Sequence, residues 1–320
     1  MTNMSQPAYD IIGDVHGCAH TLGRLLRRMG YVEEQGVYRH HQRTAIFVGD
    51  IVDRGPRIRE SLHLIKNMVD AGAAQAIMGN HEYNALGYTI ELPDSDGRFL
   101  RDHSNHHNRL ILETLTQMAP YPDEWRLFLD WFQQLPVFLE LPGLRVVHAC
   151  WDQRLIDEFK RRYGGNSVDR DFIIRSVDQE SFEGRFLDRL TRGTSLPLPD
   201  GREIKSRDGH IRRVFRTKFW ANQPKTYDDV VFQPDPLPQD IAKRSLQPCE
   251  REQLLCYGEQ EPPVFIGHYW LHGRPKPLKD NIACLDYSAV KYGRLVAYRF
   301  DGESILSADK FVWVHVDPDE

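Results

Sequence analysis

Over the first third of the chain, short apolar runs alternate with stretches whose apolar residues recur every three or four positions. Tyr9 to Ile12 reads as a strand; after a turn at Gly13 to Gly17, Leu22, Leu25, Leu26 and Met29 share one face of a predicted helix. Thr44 to Val48 predicts a second strand, a loop runs from Gly49 to Pro56, and Ile58, Leu62, Ile65 and Val69 line the next helical face. Ala74 to Met78 predicts a third strand, with Gly79 to Glu82 as its loop. Strand, loop and helix repeating in that order predict βαβ units and an α/β core built in layers.

From Gly87 to Pro142 the pattern turns helical and aromatic, with Leu110, Leu115, Trp125, Leu129 and Phe132 among polar residues and prolines at 120, 122 and 136 as interruptions. This predicts a helical insertion over 87–142. Leu144 to Val147 reads as a strand ending in His148. The stretch from Asp152 to Gln260 is charged and proline-bearing, with turn signals at Asp200-Gly201 and Asp208-Gly209, and is expected as a second insertion, 152–260, forming a cap or substrate-selecting region. Val264 to Ile266 predicts a strand ending in Gly267 and His268; Ile282 to Leu285, Leu295 to Phe300 and Phe311 to Val316 read as closing antiparallel strands. With no internal repeat, residues 1–320 are expected to form a single domain carrying two insertions.

Composition narrows the class. Of 320 residues, 41% are hydrophobic, 27% charged and 11% aromatic, which is ordinary globular usage and excludes a disordered, collagenous or coiled-coil chain. Lys plus Arg number 41 against 46 Asp plus Glu, so no overall positive field marks a nucleic-acid coat, although a local basic site remains open. No run approaches the roughly 18 apolar residues of a membrane span, and Met1 to Pro7 is polar, so a cytoplasmic protein without a membrane partner is expected. Five cysteines, scattered and without a Cys-x-x-Cys pair, argue for reduced thiols.

The chemistry gathers at strand ends. Asp14 and His16 lie in GDVHG, Asp50, Asp53 and Arg54 in GDIVDRGP, Asn80 and His81 in GNHE, His148 in HACW and His268 in GHYW. Ligands of an α/β sheet bind outside the carboxyl ends of its strands, so these loops are expected at one crevice. Carboxylate and amide oxygens mixed with imidazoles, and no cysteine in the motifs, favour Mn²⁺, Fe or Zn²⁺ over a calcium or thiolate zinc site. Six candidate ligands exceed the needs of one ion. A carboxylate such as Asp50 can bridge a pair about 3.5 to 4 Å apart, and such pairs serve hydrolysis by acidifying a shared water and neutralising phosphoryl oxygens.

GDVHG, GDIVDRGP and GNHE, in that order and followed by two later histidines, resemble the calcineurin-like metallophosphoesterases. Within them the likeness is to the phosphoprotein phosphatase branch, with its bacterial serine/threonine phosphatases, diadenosine tetraphosphatases and polynucleotide-phosphatase domains. The resemblance is dense over Asp10 to Tyr83 and sparse afterwards. It implies a layered β-sandwich flanked by helices, α/β or by some schemes α+β, and two divalent metal ions, Mn²⁺ before Fe, Zn²⁺ or Ni²⁺. By the same resemblance Asp14 and His16 hold the first ion, Asp50 bridges, and Asn80, His148 and His268 hold the second. His81 becomes the general acid oriented by Asp53, and Arg54, with Asn80 and His81, contacts the phosphate. The family's second phosphate-clamping arginine is sought among Arg212, Arg213 and Arg216, with Arg216 taken as phosphate-binding. Two departures stand out: Ala149, Cys150 and Trp151 replace a small Gly-rich turn, and Tyr269-Trp270 follows the last histidine, so bulky residues are expected to narrow or floor the site.

Other features have plainer readings. Cys18 and Cys150 are expected to pack as small hydrophobes, and His103, His106 and His107 to lie in a solvated loop. Lys205, Arg207, Arg212, Arg213, Arg216 and Lys218, interleaved with Phe215, Phe219 and Trp220, fit either a nucleic-acid track or an amphipathic strand. No G-x-x-x-x-G-K-[ST], G-x-G-x-x-G or G-x-S-x-G is present. The expected function is a dimetal hydrolase of a phosphorylated substrate, first a serine/threonine-phosphatase-like phosphomonoesterase. The alternatives are a diadenosine tetraphosphatase, a polynucleotide-end phosphatase, or an inactive scaffold of the same fold.

Overall fold

The computed structural model describes residues 8–93, 96–205, 211–232, 237–291, 293–316 and 320. Its main strands are β1 Ala8–Ile12, β2 Arg43–Phe47, β3 Ala74–Ala76, β4 Phe138–Leu141, β5 Leu144–Val147, β6 Val264–Ile266, β7 Ile282–Cys284, β8 Asp286–Tyr287, β9 Arg294–Phe300 and β10 Phe311–His315. The longer helices are α1 Ala19–Arg28, α2 Ile58–Asp70, α3 Asn80–Thr89, α4 Asn105–Met118, α5 Pro122–Gln134, α6 Gln153–Tyr163, α7 Arg170–Arg175 and α8 Phe182–Arg192.

Among the described residues these strands make two main sheets. One runs β8-β9-β1-β2-β3, with β10 also paired to β9; the other runs β7-β6-β5-β4. Because successive side chains of a strand point to opposite faces, each strand divides its apolar residues between two cores. Ile11, Ile46, Val146, Phe265, Ala283 and Tyr298 meet in a cluster that contains both sheets and none of these helices, which is the filling of a β-sandwich. Their neighbours Ile12, Phe47, Val147, Ile266, Cys284 and Ala297 face outward into a second cluster with the helices. Leu22, Leu26, Leu62 and Ile65 of α1 and α2 belong to it, at the spacing read from the sequence. Fully burying one such isoleucine or leucine stabilises by about 1.5 to 3 kcal/mol.

The expected strands are present to within a residue or two, with three differences in their setting. The stretch 87–142 is not helical throughout: after α4 and α5, β4 pairs antiparallel with β5. Pro136 closes the helical pattern, and the Pro142-Gly143 turn, with Gly143 at φ +82°, folds two short apolar runs into a hairpin. Ile282–Cys284 runs parallel to β6 rather than antiparallel, because the chain between them is long enough to return to the starting edge. β9 and β10 are antiparallel, as the pattern suggests. His106 and His107 stand in the first turn of α4, not in a loop, since the Ser104 hydroxyl accepts the His107 N–H and starts the helix.

Residues 152–260 have two parts. Phe159 of α6 stacks on Phe186 of α8, Phe172 of α7 meets both edge-on, and Phe159 meets Phe138 of β4, so these helices cover the second sheet. Further on, Thr194–Pro197 pairs with Val214–Thr217, and Leu196, Phe215, Tyr227, Val230 and Ile241 close a small apolar cluster of their own. Phe215, Phe219 and Trp220 are buried, so the amphipathic-strand reading of the basic stretch fits this segment. Arg207, the Asp208-Gly209 turn and Met1 to Pro7 lie outside the described residues. No helix among the described residues is long and apolar enough to cross a membrane.

Candidate metal centre

Asp14 and His16 follow β1, Asp50, Asp53 and Arg54 follow β2, Asn80 and His81 open α3 after β3, His148 follows β5 and His268 follows β6. The two sheets thus deliver them from both sides of the sandwich to one buried place, with Asp50 at its hub. Its Oδ2 lies 3.4 Å from His148 Nε2, 3.6 Å from His16 Nε2 and 3.8 Å from His81 Nε2. Its Oδ1 accepts the His81 backbone N–H at 2.9 Å. Two groups able to hold a cation result, His16 with Asp50 and His81, and Asp50 with His148 and His268. Asn80 joins the second: its Oδ1 is 3.0 Å from His148 Nε2 and 2.8 Å from His268 Nδ1. Asp14 sits behind, its Oδ2 accepting the His268 backbone N–H at 3.1 Å.

The loops bend sharply to achieve this. His16, Asp50, Asp53, Arg54 and His268 all adopt left-handed φ, between +44° and +72°, a region that costs a residue with a side chain roughly 1 to 2 kcal/mol. Glycine is needed where backbone meets carboxylate. A Cβ on Gly267 would stand 2.0 Å from Asp14 Oδ1, and one on Gly79 2.3 Å from Asp50 Oδ1.

Hydrogen bonds set the imidazoles. His16 Nδ1 donates to the Val52 carbonyl at 2.8 Å and His148 Nδ1 to the Val48 carbonyl at 2.7 Å, which turns each Nε2 toward Asp50. Burial works to raise the Asp50 carboxyl, but His148, through its charge and its hydrogen bond, leads the groups that outweigh it and hold it well below the usual range. Asp14 goes the other way, pushed well up by burial and then by the nearby Asp286 carboxyl. Burial would lower His148, yet Asp50 and Asp14 drive it up to about 10, so this pocket of carboxylates calls for positive charge. Asp14 Oδ1 and His268 Nε2 are buried with no hydrogen-bond partner among the described residues. Orphaned buried donors and acceptors need explaining; with carboxylate, amide and imidazole ligands around them, they fit divalent cations.

Beside these candidate ligands His81, Asp53 and Thr114 form a hydrogen-bonded chain. His81 Nδ1 lies 2.5 Å from Asp53 Oδ2, and Thr114 of α4 binds the other Asp53 oxygen through its hydroxyl while accepting the Asp53 N–H at 3.0 Å. Arg54 spreads its fork over both groups, Nη1 3.0 Å from His16 Nε2 and Nη2 2.9 Å from His81 Nε2. A guanidinium only donates, so both imidazoles are neutral in this arrangement and His81 carries its proton on Nδ1. Arg216 keeps contact with solvent while its inner side is crowded by protein. That burial and then the charges of Arg212, Arg192 and Arg54, over an opposing pull from Tyr269, hold its guanidinium below the usual range. Arg216 also acts on His268. Arg213 turns away to an exposed pair with Glu203.

The sequence profile of the calcineurin-like phosphoesterases matches residues 9–268, a span that contains every residue of this centre. The chain belongs to that family. Two of its relatives are asymmetrical bis(5'-nucleosyl)-tetraphosphatases named PrpE. That of Oceanobacillus iheyensis is 30% identical over 156 residues, covering 48% of this chain and 60% of the relative. That of Halalkalibacterium halodurans is 45% identical over 149 residues, covering 44% and 56%. The matched part therefore spans little more than half of these curated relatives. Among solved structures, a protein serine/threonine phosphatase from Saccharomyces cerevisiae covers 100% of this chain and 82% of its own at 15% identity and a TM-score of 0.49.

In this calcineurin-like phosphoesterase the bulky residues after the two late histidines are placed unequally. Trp151 is buried under Arg145 and against Phe138, away from the centre, and Tyr269 is buried against Trp220 and Phe232. Both Trp270 and Tyr269 still border the centre, the Trp270 ring 4.3 Å from the Arg54 guanidinium carbon and the Tyr269 ring meeting the His268 ring edge-on at 5.5 Å. Cys18 and Cys150 are packed as expected, and burial pushes the Cys18 thiol up to about 12.

Several bracing residues carry no role in the sequence reading. Glu82 Oε2 accepts the N–H groups of Gly79 and Asp50, both at 2.9 Å, and Oε1 accepts those of Ile51 and Val52, so one carboxylate ties the second and third motif loops together. Its place three residues after Gly79 is capping-box spacing, a signal present in GNHE itself. Asp286 anchors Trp270 and Ser288 through their N–H groups. Thr114 and Gln117, one turn apart on α4, hold the Asp53 and Gly55 backbone; no local motif marks them.

Proposed function

We propose that the chain is a metal-dependent hydrolase of phosphoric esters and anhydrides. The observation that carries this is Asp50 set among three imidazoles, with Asp14 Oδ1 and His268 Nε2 left buried and unpartnered beside it. Asp14, His16 and Asp50 would hold one divalent ion and Asp50, Asn80, His148 and His268 the other, Mn²⁺ being the first candidate. When bound, such ions acidify water and neutralise phosphoryl oxygens.

The chain's own residues supply the rest. Arg54, released from His16 and His81, turns its fork onto two phosphoryl oxygens. His81 then takes a proton at Nε2, with the Asp53 carboxylate at Nδ1 stabilising the imidazolium. As the water oxygen bonds to phosphorus its proton passes to solvent, the bond to the leaving oxygen breaks, and His81 gives that oxygen the proton it had taken up from solvent. Arg216, whose guanidinium feels the charge of Arg54, would serve the same phosphate.

The relatives' being bis(5'-nucleosyl)-tetraphosphatases by name supports a dinucleoside tetraphosphate as substrate, which puts this reading ahead of the phosphoprotein expected first from the sequence. The test is hydrolysis of p-nitrophenyl phosphate, a phosphoserine peptide and diadenosine tetraphosphate by chelated protein, with and without Mn²⁺. Metal-restored turnover led by the tetraphosphate is expected. A folded, metal-loaded protein inert toward all three would overturn the hydrolase reading.

A further inference from the structure

One helical turn beyond His81, α3 leaves the metal centre and enters the wall of a separate cavity of about 730 Å³. At its inner end Asn84 Oδ1 accepts from two guanidinium groups, Arg101 Nη1 and Arg192 Nη2, each at 2.7 Å. Arg192 keeps a carboxylate partner, Asp188, at 3.2 Å. Arg101 has none within ion-pairing distance among the described residues. Burial, and then Arg192, bring the Arg101 guanidinium down to about 10. Two guanidiniums on one amide oxygen repel each other, and an anion beside them would relieve that repulsion.

The helix α3 joins the catalytic centre to the cavity: Asn84 stands one turn after His81, and the Arg192 guanidinium lies 5.2 Å from the ring of Tyr83 between them. Arg192 and Arg101 thus stand one helical turn beyond His81, where a single phosphoryl group at the metal centre has no use for them. At the far end the cavity wall is aromatic: His103 stacks between Tyr88, at 3.9 Å, and half-buried Phe99, at 4.2 Å, and both His103 and Phe99 line the space. A row of guanidiniums ending at a ring stack matches a chain of phosphates ending in a base.

We infer that this cavity receives the leaving part of a dinucleoside polyphosphate, with Arg192 and Arg101 on its outer phosphates and the Phe99–His103 stack beside its base. This rests on the hydrolase reading above and adds to it the residues that choose the substrate. Arg101 and Phe99 act on specificity by holding the far end of the molecule.

The test compares kcat/KM for diadenosine tetraphosphate with that for p-nitrophenyl phosphate, in Mn²⁺-loaded wild type and in Arg101→Met, Arg101→Lys and Phe99→Ala. The ratio of the two should fall roughly 10-fold in Arg101→Met, as for loss of one charge-assisted hydrogen bond, with partial recovery in Arg101→Lys and a smaller fall in Phe99→Ala. If both substrates are turned over and the ratio stays within twofold of wild type in every folded variant, the inference is overturned and the hydrolase reading stands. If wild type hydrolyses neither, the hydrolase reading fails. The cavity is then judged by titrating chelated protein with diadenosine tetraphosphate: binding weakened in Arg101→Met and Phe99→Ala supports it, and unchanged or absent binding overturns it. Should Arg101→Met lose its fold, Phe99→Ala and Arg101→Lys decide by the same ratio.

Discussion

At the scale of single residues, His81 and Asp50 separate two kinds of loss. His81→Ala removes the proposed proton donor and leaves the proposed ligands in place, so the protein should keep its metal. It should slow by about 10² to 10⁴-fold on a phosphoserine peptide, whose alkoxide leaves poorly. p-Nitrophenolate leaves without help, and the loss on its ester should be much smaller; equal losses on both substrates would remove His81 from the acid role. Asp50→Asn should instead lower bound metal and turnover together, read by elemental analysis beside an activity assay. Glu82 makes a third case, because it touches no ligand atom but fixes the N–H of Asp50 and its neighbours. Glu82→Gln should weaken metal affinity by roughly 10 to 100-fold, the usual cost of losing an outer support. Unchanged affinity would mean that the loop holds its shape unaided.

Secondary-structure elements divide this labour unevenly. α3 presents Asn80 to the ligands, His81 to the proton, Glu82 to the loops and Asn84 to the neighbouring cavity within about 6 Å of helix rise. α4, expected only as part of an insertion, braces the Asp53–Gly55 loop from behind through Thr114 and Gln117. α5 is tied to α2 by Glu124, which takes a two-pronged bond from Arg59 and a third from His63, all at 2.8 Å. Those bonds, Arg59's first, hold the Glu124 carboxyl down to about 2 against an ordinary 4.5. A depressed carboxyl stabilises above its unfolded pKa and loses that contribution as pH falls through the folded one. The gap in Tm between wild type and Glu124→Gln should thus be steady near neutrality and close between pH 4.5 and 2; a gap that widened with acid would reverse this account.

Legibility followed the same division. Residues that act through a short run of sequence, such as Asp14 with His16 or Asp53 with Arg54, were readable because turn glycines and strand ends mark them locally. Thr114 and Gln117 were not, since only the packing of α4 against the second loop gives them a partner. The same holds for Arg192, which reaches the cavity from α8, far along the chain. β4 was missed because Phe138 and Leu139 continue an aromatic stretch that reads as helix until a hairpin turn gives it a partner strand.

For the whole molecule, the candidate centre is a seam between the two sheets, drawing its candidate ligands from the ends of β1, β2 and β3 on one side and of β5 and β6 on the other. A cation held there would cross-link both halves and bind only the folded state. Chelation should therefore lower Tm, and Mn²⁺ at 100 times its Kd should restore about 2.7 kcal/mol per site. A Tm indifferent to both chelator and metal would argue that no ion links the sheets. Gly267→Ala should lose that metal-dependent gain, because its Cβ would intrude on Asp14.

The left-handed backbone at His16, Asp50, Asp53, Arg54 and His268 matters to anyone who would engineer this chain. At about 1 kcal/mol each, these five positions together hold back a sum comparable to the lower end of a domain's net stability. Glycine relieves such strain, so a library selected for heat resistance alone would collect glycine at position 54, where the side chain packs least. It would return sturdier proteins that had lost their grip on phosphate. Thermal selection on this scaffold has to be run with turnover as a second gate.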